Sequence, residues 1–219
     1  FRRVLFRSRA MASSSPRRRE LMKLTGLQVT IAAAEVDESW QPGESPREMT
    51  ERLALAKARA ANARQGWVLG ADTLVVSDGE LLGKPSDPEG ARSMLELLRG
   101  RAHRVVTSIA LLDLDTGQQV LDSCESTVLM REYTDSEVNR YLQSGNPYDK
   151  AGSYAIQDGE FRPVDVSQMK DCYANVMGLP LCHVVRNFPQ ATPEDAPTAC
   201  QAHTGYQCPI YQEVLERRL

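Results

Sequence analysis

Ser13-Ser14-Ser15-Pro16-Arg17-Arg18-Arg19-Glu20-Leu21-Met22 reads as a serine loop turning into a helix. Ser15 suits the N-cap, and Pro16 suits the first helical position, where its missing N–H costs nothing. Leu21, Leu24 and Leu27 supply apolar positions, and Gly26 supplies a stop. Charge sets the stretch apart: Arg17, Arg18 and Arg19 crowd the first turn, where the helix dipole favours anions and disfavours cations. Backbone N–H groups, serine hydroxyls and guanidinium forks gathered at one spot describe a polyphosphate site. A localisation signal, a nucleic-acid contact and a solvated helix end are the other readings of such a run.

Bulk properties narrow these choices. The chain has 219 residues, enough for one large domain or two lobes sharing a sheet, with 42% hydrophobic and 25% charged residues. With 26 Lys and Arg against 29 Asp and Glu the net charge is −3, which argues against a general nucleic-acid binder. No apolar run approaches membrane-spanning length. Phe1 to Arg9 is basic but lacks the apolar stretch of a secretory signal and does not start with Met. Residues 1–10 are therefore set apart as an extension, 11–188 as the domain and 189–219 as a tail of unknown role. Five cysteines, an odd number with three late in the chain, do not look like a disulfide framework and point to a reducing cytoplasm.

Working outward, Val29 to Ala34 reads as a short strand, followed by Asp37-Glu38 and a Pro/Gly-rich loop. Ser45, Pro46 and Glu48 form a capping box that starts a second helix. Met49, Leu53, Ala56, Ala60 and Ala63 form its expected apolar stripe, bordered by Lys57. Trp67 to Val76 is a buried strand carrying Asp72 in its middle. Because an ionised Asp is rarely buried without a partner, Asp72 is a candidate catalytic or metal-binding carboxylate; a hydrogen-bonded Asp at a bend made by Gly70 is the structural alternative. Lys84, between Gly83 and Pro85, suits a fixed ligand contact, although an exposed turn lysine is commoner.

A third helix opens at Ser86-Asp87-Pro88 and stops at Gly100. Ala102 to Leu112 alternates as a strand, and Asp115-Thr116-Gly117 turns it into a partner ending near Met130. His103 and Thr107 share one face of that strand, where a lone histidine is usually structural. Thr134 and Glu137 make another capping box, with Gly145 as the stop. The cluster from Asn146 to Gln157 carries an acid, a base and an amide able to read a base edge. Helices alternating with strands and hairpins make an α/β chain with a mixed sheet.

Six segments in order resemble the Maf family of nucleoside triphosphate pyrophosphatases. They are Ala12-Ser13-Ser14-Ser15-Pro16-Arg17-Arg18, Leu53-Ala54-Leu55-Ala56-Lys57-Ala58, Gly70-Ala71-Asp72-Thr73, Gly83-Lys84-Pro85, Asp149-Lys150-Ala151-Gly152 with Ile156-Gln157, and Asn175-Val176-Met177-Gly178-Leu179-Pro180. The resemblance runs from Ala12 to Leu181. It implies an inosine-triphosphatase-like fold, an elongated mixed β-sheet flanked by helices with two lobes around a cleft, often dimeric. It also implies hydrolysis of a nucleoside triphosphate to monophosphate and pyrophosphate with a divalent cation, Mg²⁺ or Mn²⁺, with Co²⁺ as a further option. By the same resemblance Asp72 is the general base; Ser13, Arg17, Arg18, Lys57 and Lys84 hold the phosphates; and Glu38 joins Asp72 at the metal. Arg17, Thr73 and Gln157 match the specificity triplet of the branch acting on dTTP and UTP. Asp149 and Lys150 are expected to pair and shape their loop. The runner-up readings are a non-catalytic nucleotide-binding protein of the same fold and a pyrophosphatase for a modified purine nucleotide.

Two features depart from the family pattern. Arg7-Ser8-Arg9-Ala10-Met11 stands where a short apolar first strand is implied. The tail matches no motif, yet it holds Cys200-Gln201-Ala202-His203 and Cys208, with Cys182-His183 upstream. Those residues are candidate zinc ligands or unremarkable thiols in an arm packed on the domain or across a dimer.

Overall fold

The computed structural model describes residues 7–33, 35–188, 191 and 195–217. Six strands form one open mixed sheet: Arg9–Met11 (β1), Thr30–Ile31 (β2), Trp67–Ser77 (β3), Glu80–Leu82 (β4), Ala102–Asp113 (β5) and Gln119–Leu129 (β6). Their order is β2-β1-β3-β5-β6, with β4 folded back on the end of β3. β1 runs parallel to β2 and β3, and the remaining pairs are antiparallel. The helices are Pro16–Lys23 (α1), Pro46–Ala60 (α2), Pro88–Leu98 (α3), Asp135–Gln143 (α4), Tyr173–Met177 (α5), Leu181–Asn187 (α6), Asp195–Thr204 (α7) and Tyr211–Glu216 (α8).

Local signals place most of these elements. Ser15 caps α1 through Arg18 N, and both expected capping boxes form, Ser45 with Glu48 and Thr134 with Glu137. The Asp113–Gln118 turn closes the long hairpin. The second strand is shorter than expected, reduced to Thr30–Ile31, and Ala34 lies outside the described residues. β1 forms despite its basic approach, because the ladder to Trp67–Leu69 is made by backbone groups and only Ala10 and Met11 need burial. The arginines at its start, Arg7 and Arg9, have separate partners. Arg7 pairs with Asp113 at 2.6 Å, and the Arg9 guanidinium lies 6.0 Å from the Phe188 ring centroid. β1 thus spans the expected boundary between residues 10 and 11.

The inner face of α2 differs from the expected stripe. Met49 and Leu53 face inward, but Ala54 and Ala58 join them, while Ala56 is half-buried and Ala60 exposed. Alanines on several faces left the phase of the helix undetermined by hydrophobicity. Gly70 sets it: a Cβ there would lie 2.0 Å from the Ala54 carbonyl oxygen and 2.9 Å from Ala58 N. The helix rests directly on the β3 backbone, through a small core of Ala10, Ala12, Ala54, Ala58, Val68 and Ala110. The larger core includes Met11, Leu21, Leu69, Ala71, Ile109 and Leu179.

Candidate active site

Among the described residues, β3 has a strand on both edges only at its ends. β1 accompanies it from Trp67 to Leu69, where Ala12 N makes a last bond to Leu69 O at 2.8 Å. β4 joins only at Val75. Between them, Gly70 to Leu74 is paired on one side alone, with β5. The Ser13–Ser15 turn and the first turn of α1 come up against this stretch, since Arg18 Nη2 donates to Thr73 Oγ1 at 2.9 Å. Ser13 is buried, and its hydroxyl accepts from Ser15 N.

Successive strand residues face opposite ways, so Asp72 and Thr73 serve opposite sides of the sheet. Asp72 shares the α2 side with Gly70 and meets Lys57 Nζ at 2.6 Å. The same ammonium lies 2.6 Å from Glu38 Oε1, so one lysine bridges two carboxylates. Glu38 is carried by a loop that Arg52 pins from α2, donating to Ser39 O at 3.0 Å and to both Glu44 oxygens. Arg52 was not legible as a site residue, because its partners come from the loop and no motif marks it.

Electrostatics separate the two carboxylates. Burial pushes Asp72 above its ordinary value, against the pull of Lys57 and Arg18, and the nearby Glu38 charge adds to the rise. For Glu38 burial also acts upward, but Lys57, then Lys84 and Arg18, outweigh it and hold the group below its ordinary value. Lys84 is exposed, and its charge helps to hold Glu38 down.

On the other side, Thr73 belongs to a chain whose direction follows from counting donors. Arg18 donates to Thr73, and Thr107 donates to the Asn175 carbonyl at 3.1 Å, which uses its one hydroxyl hydrogen. The 2.9 Å contact between the two threonines must therefore run from Thr73 to Thr107. The Thr73 hydroxyl points its hydrogen inward and has only acceptor capacity left. Arg18 Nε also donates to Gly178 O at 2.8 Å, and a Cβ on Gly178 would come 3.5 Å from that nitrogen. The Asn175–Pro180 segment, which carried no role in the sequence, thus seats Arg18. His103 is a structural residue, as expected of a lone strand histidine. It bonds Tyr154 Oη at 2.7 Å, and desolvation lowers its pKa to about 4, so it stays neutral.

Arg17 is held differently from Arg18. It pairs with Asp149 at 3.0 Å, and Lys150 bonds the same carboxylate, so Asp149 and Lys150 shape the loop as expected. Gly152 N bonds Gly83 O at 3.0 Å, which fastens this loop beside Lys84. Gln157 is exposed further along the loop.

Asp72 with Lys57 and Glu38, and Thr73 with Arg18, therefore meet at the open stretch of β3, whereas Arg17 is held by Asp149 and Gln157 is exposed on its loop. The fold is an α/β one, with a buried carboxylate and cationic side chains at the open stretch of its mixed sheet. The chain belongs to the Maf family: the model described as Maf-like protein matches residues 10–191. A dTTP/UTP pyrophosphatase of Citrifermentans bemidjiense is 43% identical over 177 residues, covering 80% of this chain and 91% of the relative. One from Thermomicrobium roseum is 41% identical over 210 residues, covering 91% and 92%, and one from Syntrophomonas wolfei is 42% identical over 176 residues, covering 80% and 92%.

Proposed function

We propose that this protein is a nucleoside triphosphate pyrophosphatase that hydrolyses dTTP and UTP to the monophosphate and pyrophosphate, a house-cleaning activity on normal or modified pyrimidine nucleotides. The observation that carries the reading is the buried Asp72, raised by desolvation and held 2.6 Å from Lys57 at the open stretch of β3. The names of the relatives support the same substrates.

In this reading Asp72 takes a proton from the attacking water, a task suited to a carboxylate whose basicity burial has increased. Water adds to the α-phosphorus, and the bond to the bridging oxygen breaks, releasing pyrophosphate. Lys57, Arg18 and Lys84 offset the charge gathering on the leaving group, and Ser13 with the N-terminus of α1 cradles the chain of phosphates. The acceptor-only Thr73 suits a donor on the substrate, such as the ring N–H of uracil or thymine, while Gln157 offers both a donor and an acceptor. Arg17 holds the loop carrying Gln157 and completes the specificity set.

The carboxylates fit a divalent cation. Glu38 and Asp72 flank a spot already taken by a positive charge, and hard oxygen donors suit Mg²⁺ or Mn²⁺, with Co²⁺ as an alternative. When bound, such an ion supplies further neutralisation of phosphate charge. The five free cysteines support a cytoplasmic location, and among the described residues no helix is long and apolar enough to cross a membrane. A homodimer is carried over from the family resemblance.

The test is pyrophosphate release across a nucleotide panel with Mg²⁺, Mn²⁺ or Co²⁺. Activity on dTTP and UTP should fall by about 10²–10⁴ in Asp72→Asn. Equal use of purine triphosphates would overturn the branch assignment, and binding without turnover would favour a regulatory nucleotide-binding protein.

A further inference from the structure

Residues 35–45 form neither helix nor strand, yet Glu38 of this segment reaches Lys57 Nζ at 2.6 Å. The Glu38 side chain is 56% exposed, so burial does not hold it in place. Its position depends on the backbone that carries it, and two residues outside the cluster support that backbone. Arg52 Nη2 donates at 3.0 Å to Ser39 O, the carbonyl of the residue after Glu38, and at 2.8 Å to Glu44 Oε2. Arg52 Nε donates to the other Glu44 oxygen. Glu44 in turn closes the loop on itself: its carboxylate accepts from Gln41 N at 3.1 Å, and its carbonyl accepts from the Trp40 indole at 3.2 Å. An isolated surface ion pair fixes little, but this pair is bidentate and the Glu44 side chain is largely enclosed. One planar guanidinium thus ties both ends of the loop to α2, which a single ammonium could not do.

We propose that Arg52 and Glu44 form a positioning clamp that sets Glu38 against Lys57 and Asp72, with neither member of the clamp touching substrate. Arg52 and Lys57 stand on the same helix, so the tether of Glu38 and its ion partner are carried by one rigid element. That helix is seated on β3 at Gly70, two residues from Asp72. The Lys57 ammonium is thereby held between two carboxylates at fixed points rather than drawn onto Asp72 alone. Breaking the clamp returns backbone freedom to the loop, and Glu38 no longer has one position. A group displaced from its working position by about 1 Å can cost a factor of about 10² in rate, even when the substitution lies away from the chemistry. The kinetic consequence of the clamp rests on the pyrophosphatase reading above, whereas its effect on the loop does not.

The experiment compares Arg52→Gln, Arg52→Lys and Glu44→Gln with the wild type, in the full chain, by UTP turnover and by hydrogen exchange of the 38–44 amides. Arg52→Gln should lower kcat/KM for UTP by about 10²-fold, and Arg52→Lys, which keeps the charge without the fork, by less. Glu44→Gln should fall likewise, and the double variant no further than Arg52→Gln. In a Glu38→Gln background, Arg52→Gln should change kcat/KM by less than about twofold, because no carboxylate remains to be placed. An undiminished loss in that background would overturn the proposal, since Arg52 would then act on substrate or on the fold directly. Exchange of the 38–44 amides should quicken about tenfold in Arg52→Gln, and unchanged exchange would overturn the clamp even if activity falls. A wild type that turns over no nucleotide would overturn the function proposed above, and the exchange comparison then decides the clamp by itself. Should Arg52→Gln fail to fold, Glu44→Gln carries the same comparisons.

Discussion

Replacing Lys57 by Met removes the ammonium that bridges Asp72 and Glu38 while keeping much of the side-chain stem. The pair is well enclosed, with side-chain exposures of 12% for Lys57 and 8% for Asp72. Breaking a buried pair by deleting one partner costs about 3–5 kcal/mol when the other charge must stay buried. Asp72 has an escape, since it can take up a proton, and each unit by which its pKa rises costs about 1.4 kcal/mol at pH values above it. Burial already raises the group, and losing Lys57 raises it further. A carboxylate with a folded pKa above its unfolded value binds more protons when folded, so stability falls as pH rises through that interval. Urea unfolding of Lys57→Met should therefore show a loss of about 1 kcal/mol near pH 4.5, from stem packing, and about 3–5 kcal/mol near pH 8. In an Asp72→Asn background the same substitution should cost about 1 kcal/mol at both pH values. Equal losses at the two pH values in the single variant would refute the idea that Asp72 is a desolvated charge held by Lys57.

Other perturbations follow from the same geometry. Gly70→Ala forces a Cβ to within 2.0 Å of the Ala54 carbonyl and should lower stability by about 1–3 kcal/mol or more, read by thermal unfolding. Thr107→Val removes the acceptor that orders the Thr73 hydroxyl, and should reduce kcat/KM for UTP about tenfold while narrowing the preference over purine triphosphates. The acid limb of the kcat/KM profile should lie above the range of an ordinary aspartate, because the raised Asp72 must lose its proton to act as base, and the limb should vanish in Asp72→Asn. Gln157→Glu should weaken pyrimidine use while leaving unfolding unchanged, since the side chain is exposed; an unfolded variant would show that Gln157 is structural.

Elements were legible where their signals are local. Caps such as Ser45 with Glu48 act within one turn, the hairpin at Asp115-Thr116-Gly117 is a short-range feature, and β3 announces itself by an unbroken apolar run around Asp72. The candidate residues were legible for a related reason: a carboxylate inside a buried strand and arginines at a helix start are costly wherever they fall, and so stand out before any contact is known. Pairings were not legible. Hydrophobicity could not choose among the alanines of α2, and only the bare backbone at Gly70 turned Lys57 towards Asp72. Arg17 and Arg18 are neighbours of identical chemistry, yet one is held by Asp149 and the other by Thr73 and Gly178, up to 160 residues away. Sequence by itself determined the helices and strands that carry local caps, turns or apolar runs, and it singled out Asp72 and the arginines of α1 as candidates, because those outcomes depend on short spacings and on the cost of burying charge. Tertiary structure alone decided which side chains meet, because each meeting depends on the approach of backbones that no local spacing encodes.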